Sequence, residues 1–283
     1  MFRVGASSCG RLLTRETFEA YQRAGVGLME VSAAAPYIEE VDAAEVAAYA
    51  KEYGVELWSF HLPFSKPYII SHTEWDIPGA IERNSELIKR WSAVGVDKFI
   101  IHPSPDNHGG THDSRMEPAK ESLAMLAEIA HREGAVMCVE DLPRTCLGRC
   151  SDDMLELLSV DDRLRVCFDT NHLLIEDNLT FIRRLGDKIV TTHVSDYDFV
   201  NERHWIPGEG KVDWQALIAA LKEVGYNGVW MYEVGPQCPE HIIRDRDVTI
   251  ADLALNAKEL FAGQMPTRFS TPHPNPPLGW WSE

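Results

Sequence analysis

Strand-like and helix-like segments alternate eight times along this chain of 283 residues, and no other feature of the sequence restricts the fold as strongly. The predicted strands cover residues 2–7, 28–32, 55–60, 98–101, 136–139, 164–168, 188–192 and 228–232. The predicted helices cover residues 15–24, 43–53, 78–94, 118–132, 152–158, 179–185, 214–224 and 247–261. The strands are apolar throughout, as in parallel sheets that helices cover on both faces. Eight such units in this length favour an α/β fold, a single closed (β/α)₈ TIM barrel, over a doubly wound sheet.

Residues 1–262 are accordingly predicted to form one barrel domain, and residues 263–283 a Pro-rich C-terminal tail. The prolines exclude a helix in this tail. Its last aromatic residues, Trp280 and Trp281, are expected to dock on the barrel or on a neighbouring subunit, and a frayed end is the alternative. Because barrels with aromatic tails often pair, a homo-oligomer is among the expected states.

Four of the apolar runs lead directly into a side chain that can bind a metal ion. These side chains are Glu140, Asp169, His193 and Glu233. The active site of a barrel lies where the strands end, so four such strands can aim these groups at a single point. Two glutamates, one aspartate and one neutral imidazole form a mixed oxygen and nitrogen set with negative charge. That set suits a divalent ion, Mn²⁺, Mg²⁺, Co²⁺ or Zn²⁺, better than copper or a cluster.

The ends of other predicted strands are polar as well. They carry Glu30 on the second strand, His61 on the third, His102 on the fourth and His172 just beyond the sixth. Any one of these residues could cap a helix or satisfy a loop backbone. Polar residues without a shared role would scatter to both ends of the strands, however. We therefore interpret the strand ends jointly as a metal-binding active site.

The net charge of −17 restricts the partners of the protein. So acidic a chain repels phosphodiester backbones unless its basic residues gather on one face, which argues against nucleic acid. Small, neutral or metal-bridged substrates fit this charge better. Apolar runs are too short to cross a membrane, and the N-terminus lacks the pattern of a secretory signal. A cytoplasmic protein without membrane contact is therefore expected.

Several short motifs at the strand ends belong together. They are Val139-Glu140-Asp141, Phe168-Asp169-Thr170-Asn171-His172, His193-Val194-Ser195-Asp196, His204 followed by Pro207-Gly208-Glu209-Gly210, and Tyr232-Glu233. Through these motifs the sequence resembles, over about residues 1–262, the xylose isomerase-like barrels. That family includes sugar-phosphate isomerases and epimerases, ketose 3-epimerases and endonuclease IV-type DNA repair enzymes.

In the sugar epimerase branch, this resemblance implies that one divalent metal ion is bound by Glu140, Asp169, His193 and Glu233. It also implies that Glu140 and Glu233 are catalytic and move protons on opposite faces of the substrate. A proton α to a carbonyl is too weakly acidic for an unaided carboxylate, so the developing enediolate needs a cation beside its oxygens. Return of the proton to the other face gives an epimerase, and return to the adjacent carbon gives an isomerase. The sequence leaves both outcomes open.

The expected substrate is a small sugar or sugar-like molecule. By the same resemblance, the side chains that bind it are His61, His102, His172, Arg203 and His204. Residues 235–239, which follow the last strand, include no base, and the next one is Arg244. Phosphate recognition would call for clustered basic groups at this place, so a non-phosphorylated sugar is slightly favoured.

The same family offers a rival function. Endonuclease IV-type enzymes bind three zinc ions through nine side chains, and that pattern would add five metal ligands here, namely His61, His102, His172, Glu202 and His204. The negative charge, and strand-end loops without basic or aromatic-rich insertions, favour the sugar enzyme instead. A keto-sugar or keto-inositol dehydratase and a sugar-binding barrel without catalytic activity are further alternatives.

Overall fold

The computed structural model describes residues 2–106 and 109–274, and it confirms the barrel. The parallel strands are β1 (Arg3–Ser7), β2 (Leu28–Val31), β3 (Glu56–His61), β4 (Lys98–Ile101), β5 (Val136–Glu140), β6 (Arg165–Asp169), β7 (Ile189–His193) and β8 (Val229–Tyr232). Their order in the sheet is β7-β6-β5-β4-β3-β2-β1-β8. A parallel bridge between Val194 and Tyr232 then joins the β7 and β8 ends, so the sheet forms a nearly closed barrel.

The helices between the strands largely follow the predicted pattern. They are α1 (Arg15–Ala24), α2 (Ala35–Glu40), α3 (Ala43–Tyr53), α4 (Ile77–Ser92), α5 (His112–Arg132), α6 (Ser151–Leu158), α7 (Asn178–Leu185), α8 (Trp214–Glu223) and α9 (Ile250–Phe261). Helices α1 and α3 have the predicted bounds because left-handed glycines end them, Gly25 with φ 70° and Gly54 with φ 67°. Asp42 caps α3 by accepting from the backbone N–H of Ala44 at 2.9 Å, whereas Thr14 precedes α1 without a side-chain capping bond.

The structure also contains elements that the sequence pattern did not predict. Helix α5 begins at His112, six residues before the predicted start at 118, because Thr111 and Ser114 form a capping box there. Helix α2 follows β2, and β9 (Ile242–Arg244), which follows β8, pairs antiparallel with β10 (Ser270–Pro272) of the tail. Such short elements carry too little periodicity to be recognised in a sequence. The docking predicted for Trp280 and Trp281 concerns residues outside the described ranges.

Apolar side chains between the strands and the helices form the main core. Trp91 of α4 packs on Phe60 of β3 with ring centroids 4.9 Å apart, and Phe181 of α7 packs on Phe168 of β6 at 5.5 Å. All four rings are fully buried. In the part of the chain that the structure describes, no helix combines the length and the apolar character needed to cross a membrane.

The inside of the barrel has two layers, because alternate residues of a strand point to the same side. The lower layer, which we call the floor, consists of Leu28, Trp58, Ile100, Cys138, Cys167, Val229 and Met231, all of them buried. The upper layer, which we call the ring, lies at the C-terminal strand ends and consists of Glu30, His61, His102, Glu140, Asp169, His193 and Glu233. The acidic and imidazole side chains of these two layers therefore all lie in the ring.

Gly5 of β1 allows the floor to close. A Cβ atom built on Gly5 would lie 2.7 Å from Cε of Met231 and 3.0 Å from Cγ1 of Val229. A larger residue would displace these side chains, because protein interiors are close-packed. The floor thus fills the barrel below the ring, and it separates the ring from the N-terminal mouth of the barrel.

Candidate active site

Four side chains converge at the centre of the ring. The Nδ1 atom of His193 lies 3.0 Å from Oε1 of Glu140, 3.6 Å from Oε2 of Glu233 and 3.9 Å from Oδ2 of Asp169. Ligand atoms of all four residues fall within 4.8 Å of one another. The four residues end or directly follow β5 to β8, which are consecutive around the barrel. The structure therefore brings together the four residues that the sequence predicted as metal ligands.

These side chains fit a divalent metal ion. Three carboxylates with one imidazole match the preferences of hard and borderline cations. Oδ2 of Asp169 is buried and accepts no hydrogen bond from any described residue, a costly state for a carboxylate oxygen. Glu140 and Asp169 are also completely shielded from water, so their repulsion is poorly screened. A cation between them would offset that repulsion and satisfy the unpaired oxygen.

Glu30 orients His193 from the other side of the imidazole. Nε2 of His193 lies 2.9 Å from Oε1 and 3.0 Å from Oε2 of Glu30, and Ser59 Oγ donates to Oε2 of Glu30 at 2.8 Å. Burial works to lower the pKa of His193, but the surrounding carboxylates raise this pKa well above its usual value. A carboxylate behind a metal-binding histidine typically fixes its tautomer and orientation. The sequence placed Glu30 at a strand end but assigned it no role.

His61 and His102 surround Glu140. Nε2 of each imidazole lies 3.1 Å from Oε2 of Glu140. Nδ1 of His61 donates to the backbone oxygen of Leu62 at 2.8 Å, so both of its ring nitrogens face acceptors. Burial opposes the charged form of His61, but the bond to Glu140 outweighs burial and raises the pKa to about 9. For His102, burial prevails and lowers the pKa.

A second group of possible ligands lies beside the first. Ligand atoms of His172, Glu202 and His204 fall within 4.8 Å of one another. Nδ1 of His172 donates to the backbone oxygen of Asp141 at 2.8 Å, and its Nε2 lies 3.6 Å from Oε2 of Glu202. Glu202 forms an ion pair with Arg144 at 3.1 Å. A guanidinium therefore already compensates the charge of this carboxylate.

Arg203 and His204 lie in the loop between β7 and α8. Nε of Arg203 donates to Oδ2 of Asp198 at 2.9 Å, and its Nη1 lies 3.2 Å from Nε2 of His241. These bonds hold the guanidinium to neighbouring loops, so the substrate contact of Arg203 stays a prediction. His204 adopts a left-handed backbone with φ 50° and places Nδ1 3.6 Å from Oε2 of Glu233.

The ring carboxylates differ in their acidity. Burial works to raise the pKa of Glu140, but His193 and His102 outweigh burial and hold the pKa well below its usual range. Burial, together with the charge of Glu140, raises the pKa of Glu233. The same two causes raise the pKa of Asp169 to about 6. The protein without a cation therefore holds Glu140 ionised and takes up protons more readily on Asp169 and Glu233.

Asp141 is a buried acid to which the sequence assigned no role. Its Oδ1 accepts from the backbone N–H of Asp169 at 2.7 Å. Burial and the charge of Asp169 raise the pKa of Asp141 well above its usual value. Its place directly after Glu140 in the chain was the only signal that the sequence offered. Asp141 supports the backbone of a predicted ligand and does not belong to the ring.

Glu209 of the Pro-Gly-Glu-Gly turn holds a loop in place. Its carboxylate forms an ion pair with Arg244 of β9, and both side chains are completely buried. Nη2 of Arg268 donates to the backbone oxygen of Glu209 at 3.2 Å. These bonds tie β9 and the segment that precedes β10 to the loop that carries His204.

Two cavities open beside the ring. One has a volume of about 310 Å³ and is lined by residues that include Cys9, Ala34, His61 and Phe64. The other has a volume of about 270 Å³ and is lined by residues that include Phe64, His102, Arg144 and Glu202. Phe64 stands between them, stacked on His102 with ring centroids 4.6 Å apart. Small molecules can therefore reach the ring from the C-terminal side, as in other barrels.

Comparison with known proteins supports the barrel fold. The family model described as xylose isomerase-like TIM barrel matches residues 18–253. D-psicose 3-epimerase of Ruminiclostridium cellulolyticum is 24% identical over 222 residues, which cover 74% of this chain and 74% of that protein. The chain spans about half the length of two further relatives, both uncharacterised proteins, of which it covers 53% and 52%.

Solved structures share the barrel. D-psicose 3-epimerase from Clostridium cellulolyticum H10, crystallised with D-tagatose, has a TM-score of 0.72 at 22% identity and covers 83% of this chain and 86% of its own. A D-tagatose 3-epimerase-like protein has a TM-score of 0.77 at 21% identity, over 93% of this chain and 96% of its own. At such identities the likeness shows a common fold.

Proposed function

The chain belongs to the xylose isomerase-like TIM barrel family, and from this premise we propose that it is a divalent-metal-dependent sugar epimerase or isomerase of the cytoplasm. One observation carries the proposal, namely that Glu140, Asp169, His193 and Glu233 meet within 4.8 Å at the strand ends. Relatives that share its sequence and its fold are named as ketose 3-epimerases. We rank epimerisation before isomerisation on that ground.

The four converging residues would hold one ion per chain, Mn²⁺, Mg²⁺, Co²⁺ or Zn²⁺. When bound, the ion supplies positive charge that stabilises an enediolate form of the substrate. Glu30 keeps the imidazole of His193 turned so that Nδ1 faces the three carboxylates. The protein thus fixes the ligand geometry before the ion arrives.

Glu140 and Glu233 are the proposed catalytic residues. One carboxylate removes the proton next to the carbonyl, and the other returns a proton to the opposite face, which inverts that carbon. The two carboxylates have different neighbours. Oε2 of Glu140 contacts His61 and His102, whereas Oε2 of Glu233 lies 3.6 Å from Nδ1 of His204. The two carboxylates therefore share His193 as a neighbour and differ in their other histidine neighbours.

Other polar groups at the strand ends are proposed to bind the sugar oxygens. These groups are His61, His102, His172 and His204, of which His61 would have to exchange its bond with Glu140. Arg203 would have to exchange its bond with Asp198 to reach a sugar oxygen. Orientation by several fixed donors brings the reacting carbon within reach of both catalytic carboxylates.

The reaction class is tested in D₂O. Purified protein is incubated with added Mn²⁺ and with free ketoses, keto-inositols or sugar phosphates, and the products are resolved by NMR. An epimerase yields an epimer with deuterium at the inverted carbon, and an isomerase yields an aldose. A dehydratase yields an unsaturated or deoxy product. If the metal-loaded protein exchanges no α-proton of any of these sugars, the proposal is wrong.

The substitution Glu233→Gln tests the catalytic assignment. We expect turnover to fall by a factor of about 100 or more, because an amide cannot transfer the proton. Saturating Mn²⁺ and metal analysis of the same sample separate this effect from weaker metal binding, since Glu233 is also a proposed ligand. Glu223→Gln on the surface of α8, where the side chain is 60% exposed, is the matched control. Turnover that stays the same in both variants would refute the assignment.

An endonuclease IV-type nuclease is the second candidate, because the structure forms further possible metal sites. Besides the four central residues, His172, Glu202 and His204 form one such group, and His61 forms another with Glu140 and His193. The Arg144–Glu202 ion pair and the net charge of −17 favour the sugar enzyme. Metal analysis of dialysed protein distinguishes them. One ion per chain supports the sugar enzyme, and three zinc ions support the nuclease.

A further inference from the structure

The cavity of about 310 Å³ lies between the loops that follow β1, β2 and β3. Its walls are formed by Cys9 and Gly10, by residues 32–36, and by residues from His61 to Ser65. All of these segments lie at the C-terminal ends of their strands. His61 lines the cavity and also contacts Glu140 at 3.1 Å. The cavity is therefore an extension of the ring.

The lining of this cavity is mostly apolar, and among the described residues it includes no carboxylate, lysine or arginine and a single imidazole, that of His61. The apolar part consists of Ala33, Ala34, Ala35, Pro36, Pro63 and Phe64. His61 offers no free nitrogen, because Nδ1 faces the backbone oxygen of Leu62 and Nε2 faces Glu140. The backbone N–H and oxygen of Ser32 are both bound to Ser8 Oγ, at 2.9 Å and 3.0 Å. A phosphate would find no lysine or arginine here and no imidazole nitrogen that is not already engaged, and a row of sugar hydroxyls would find few partners.

The volume of the cavity indicates a ligand that is larger than a single sugar ring. Complete ligand sites have volumes of about 300–1,000 Å³. This cavity alone reaches the lower end of that range, and a second one of about 270 Å³ lies on the other side of Phe64. A monosaccharide bound at the ring would leave only water against the alanine and proline wall, which is unfavourable. Phe64 itself is 57% exposed and offers a flat apolar face at the entrance.

From this geometry, and resting on the function proposed above, we infer that the cavity is a subsite for a neutral, largely apolar group attached to the sugar. The substrate is then a substituted keto-sugar, such as an aryl ether or glycoside, whose carbonyl end lies at the ring. The apolar group packs between Phe64 and the Ala33–Ala35 wall. A phosphorylated sugar is excluded from this side of the ring.

The substitution Ala34→Phe tests the subsite. Ala34 is exposed and lines the cavity, so a phenyl group fills the space without disturbing the core. D-fructose and its benzyl ether at the O6 position are compared as substrates by their kcat/KM values, in the presence of Mn²⁺. In the unmodified protein we expect a ratio of about ten or more in favour of the benzyl ether, since an apolar group in a fitting pocket contributes at least that factor. Ala34→Phe should lower the ratio at least tenfold.

Controls separate filling of the cavity from damage to the fold. Ala48→Phe places the same side chain on an exposed position of α3, and it should keep the ratio of the unmodified protein. Thermal unfolding and near-ultraviolet circular dichroism check that both variants are folded. Ala34→Leu fills less of the cavity, and its kcat/KM ratio is used instead if the phenylalanine variant does not fold.

Calorimetric binding of the same two sugars distinguishes failure of the subsite from failure of the proposed reaction. If neither sugar is turned over, but the benzyl ether binds about tenfold more tightly and Ala34→Phe removes that advantage, the subsite stands and the reaction is wrong. If D-fructose is epimerised and the benzyl ether is neither bound nor turned over better, the subsite is wrong and the reaction stands.

Discussion

The ring and the floor are built largely from the same strands, yet the ring consists of acidic and imidazole side chains and the floor of apolar ones. On β5, Cys138 is buried among apolar side chains, and Glu140, two residues later, is the central carboxylate of the ring. On β6, Cys167 and Asp169 repeat this pairing. Two residues of a strand span roughly 6.5 Å. One step of the pleat thus separates apolar packing from a concentrated group of charges.

This contrast indicates that the proposed metal binding would also depend on residues that offer no ligand atom. A cavity of about 510 Å³ lies at the N-terminal side of the barrel, where Arg3, Trp58 and Lys98 are among the lining residues. Trp58 helps to close the floor above it, since its Nε1 donates to Oγ1 of Thr191 at 3.1 Å and Nζ of Lys98 lies 3.7 Å from its ring centroid. The floor therefore keeps water from the lower side of the ring. Charges in such an environment attract a cation more strongly.

The largest effect should follow from breaking the floor. Met231→Ala removes the side chain that packs over Gly5, and it leaves a cavity in a fully buried layer. We expect the free energy of unfolding of the metal-free protein to fall by about 2–5 kcal/mol. Urea denaturation measures this change. Met265→Ala, at a position 87% exposed, should change it by less than about 0.5 kcal/mol, and similar losses in both variants would contradict the role of the floor.

A smaller effect should follow from loosening the ring without removing a ligand. Glu30→Gln keeps the shape of the side chain but weakens its hold on Nε2 of His193. We expect the affinity for Mn²⁺ to fall by a factor of about 10–100, with little change in the urea midpoint. Electron paramagnetic resonance titration of Mn²⁺ measures this affinity. Glu223→Gln serves as the surface control, and an affinity equal in both variants would show that Glu30 does not support the ligand.

The third prediction concerns the pH dependence of metal binding at the ring. A cation must displace the protons that Asp169, with a pKa raised to about 6, and His193, with a raised pKa, bind in its absence. Metal affinity should therefore increase as the pH rises from 5 to 8, and each displaced proton contributes up to about tenfold per pH unit. Calorimetric titration at several pH values with Mn²⁺ measures the slope. An affinity that does not depend on pH would mean that these groups are not ligands.

The fold and the central cluster could be predicted because both follow from local patterns. Helices α1 and α3 end at glycines, and β4 is a plain apolar run, so their predicted bounds agree with the structure. Glu140 and Asp169 each end their own strand. Parallel strands of one barrel then force these ends together, whatever the rest of the chain does.

The remaining features could not be predicted because they depend on contacts between distant parts of the chain. Glu30 reaches His193 across 163 residues, and no local pattern indicates that partnership. Arg144 pairs with Glu202 across 58 residues. This pair compensates the charge of a carboxylate that would otherwise favour a second metal ion. The apolar cavity arises where three loops meet, so no single one of them reveals it.

The ion pair between Glu209 and Arg244 also bears on how such a chain can evolve. Arg244 of β9 pairs with Glu209, and Arg268 bonds to the backbone oxygen of Glu209, so β9 and the segment before β10 are both joined to the loop that carries His204. A mutation that truncates the gene before the codon of Arg268 would remove this residue and β10, the partner strand of β9, although every strand of the barrel would remain. Selection on the loop that carries His204 therefore extends to the chain beyond α9, the last helix of the barrel.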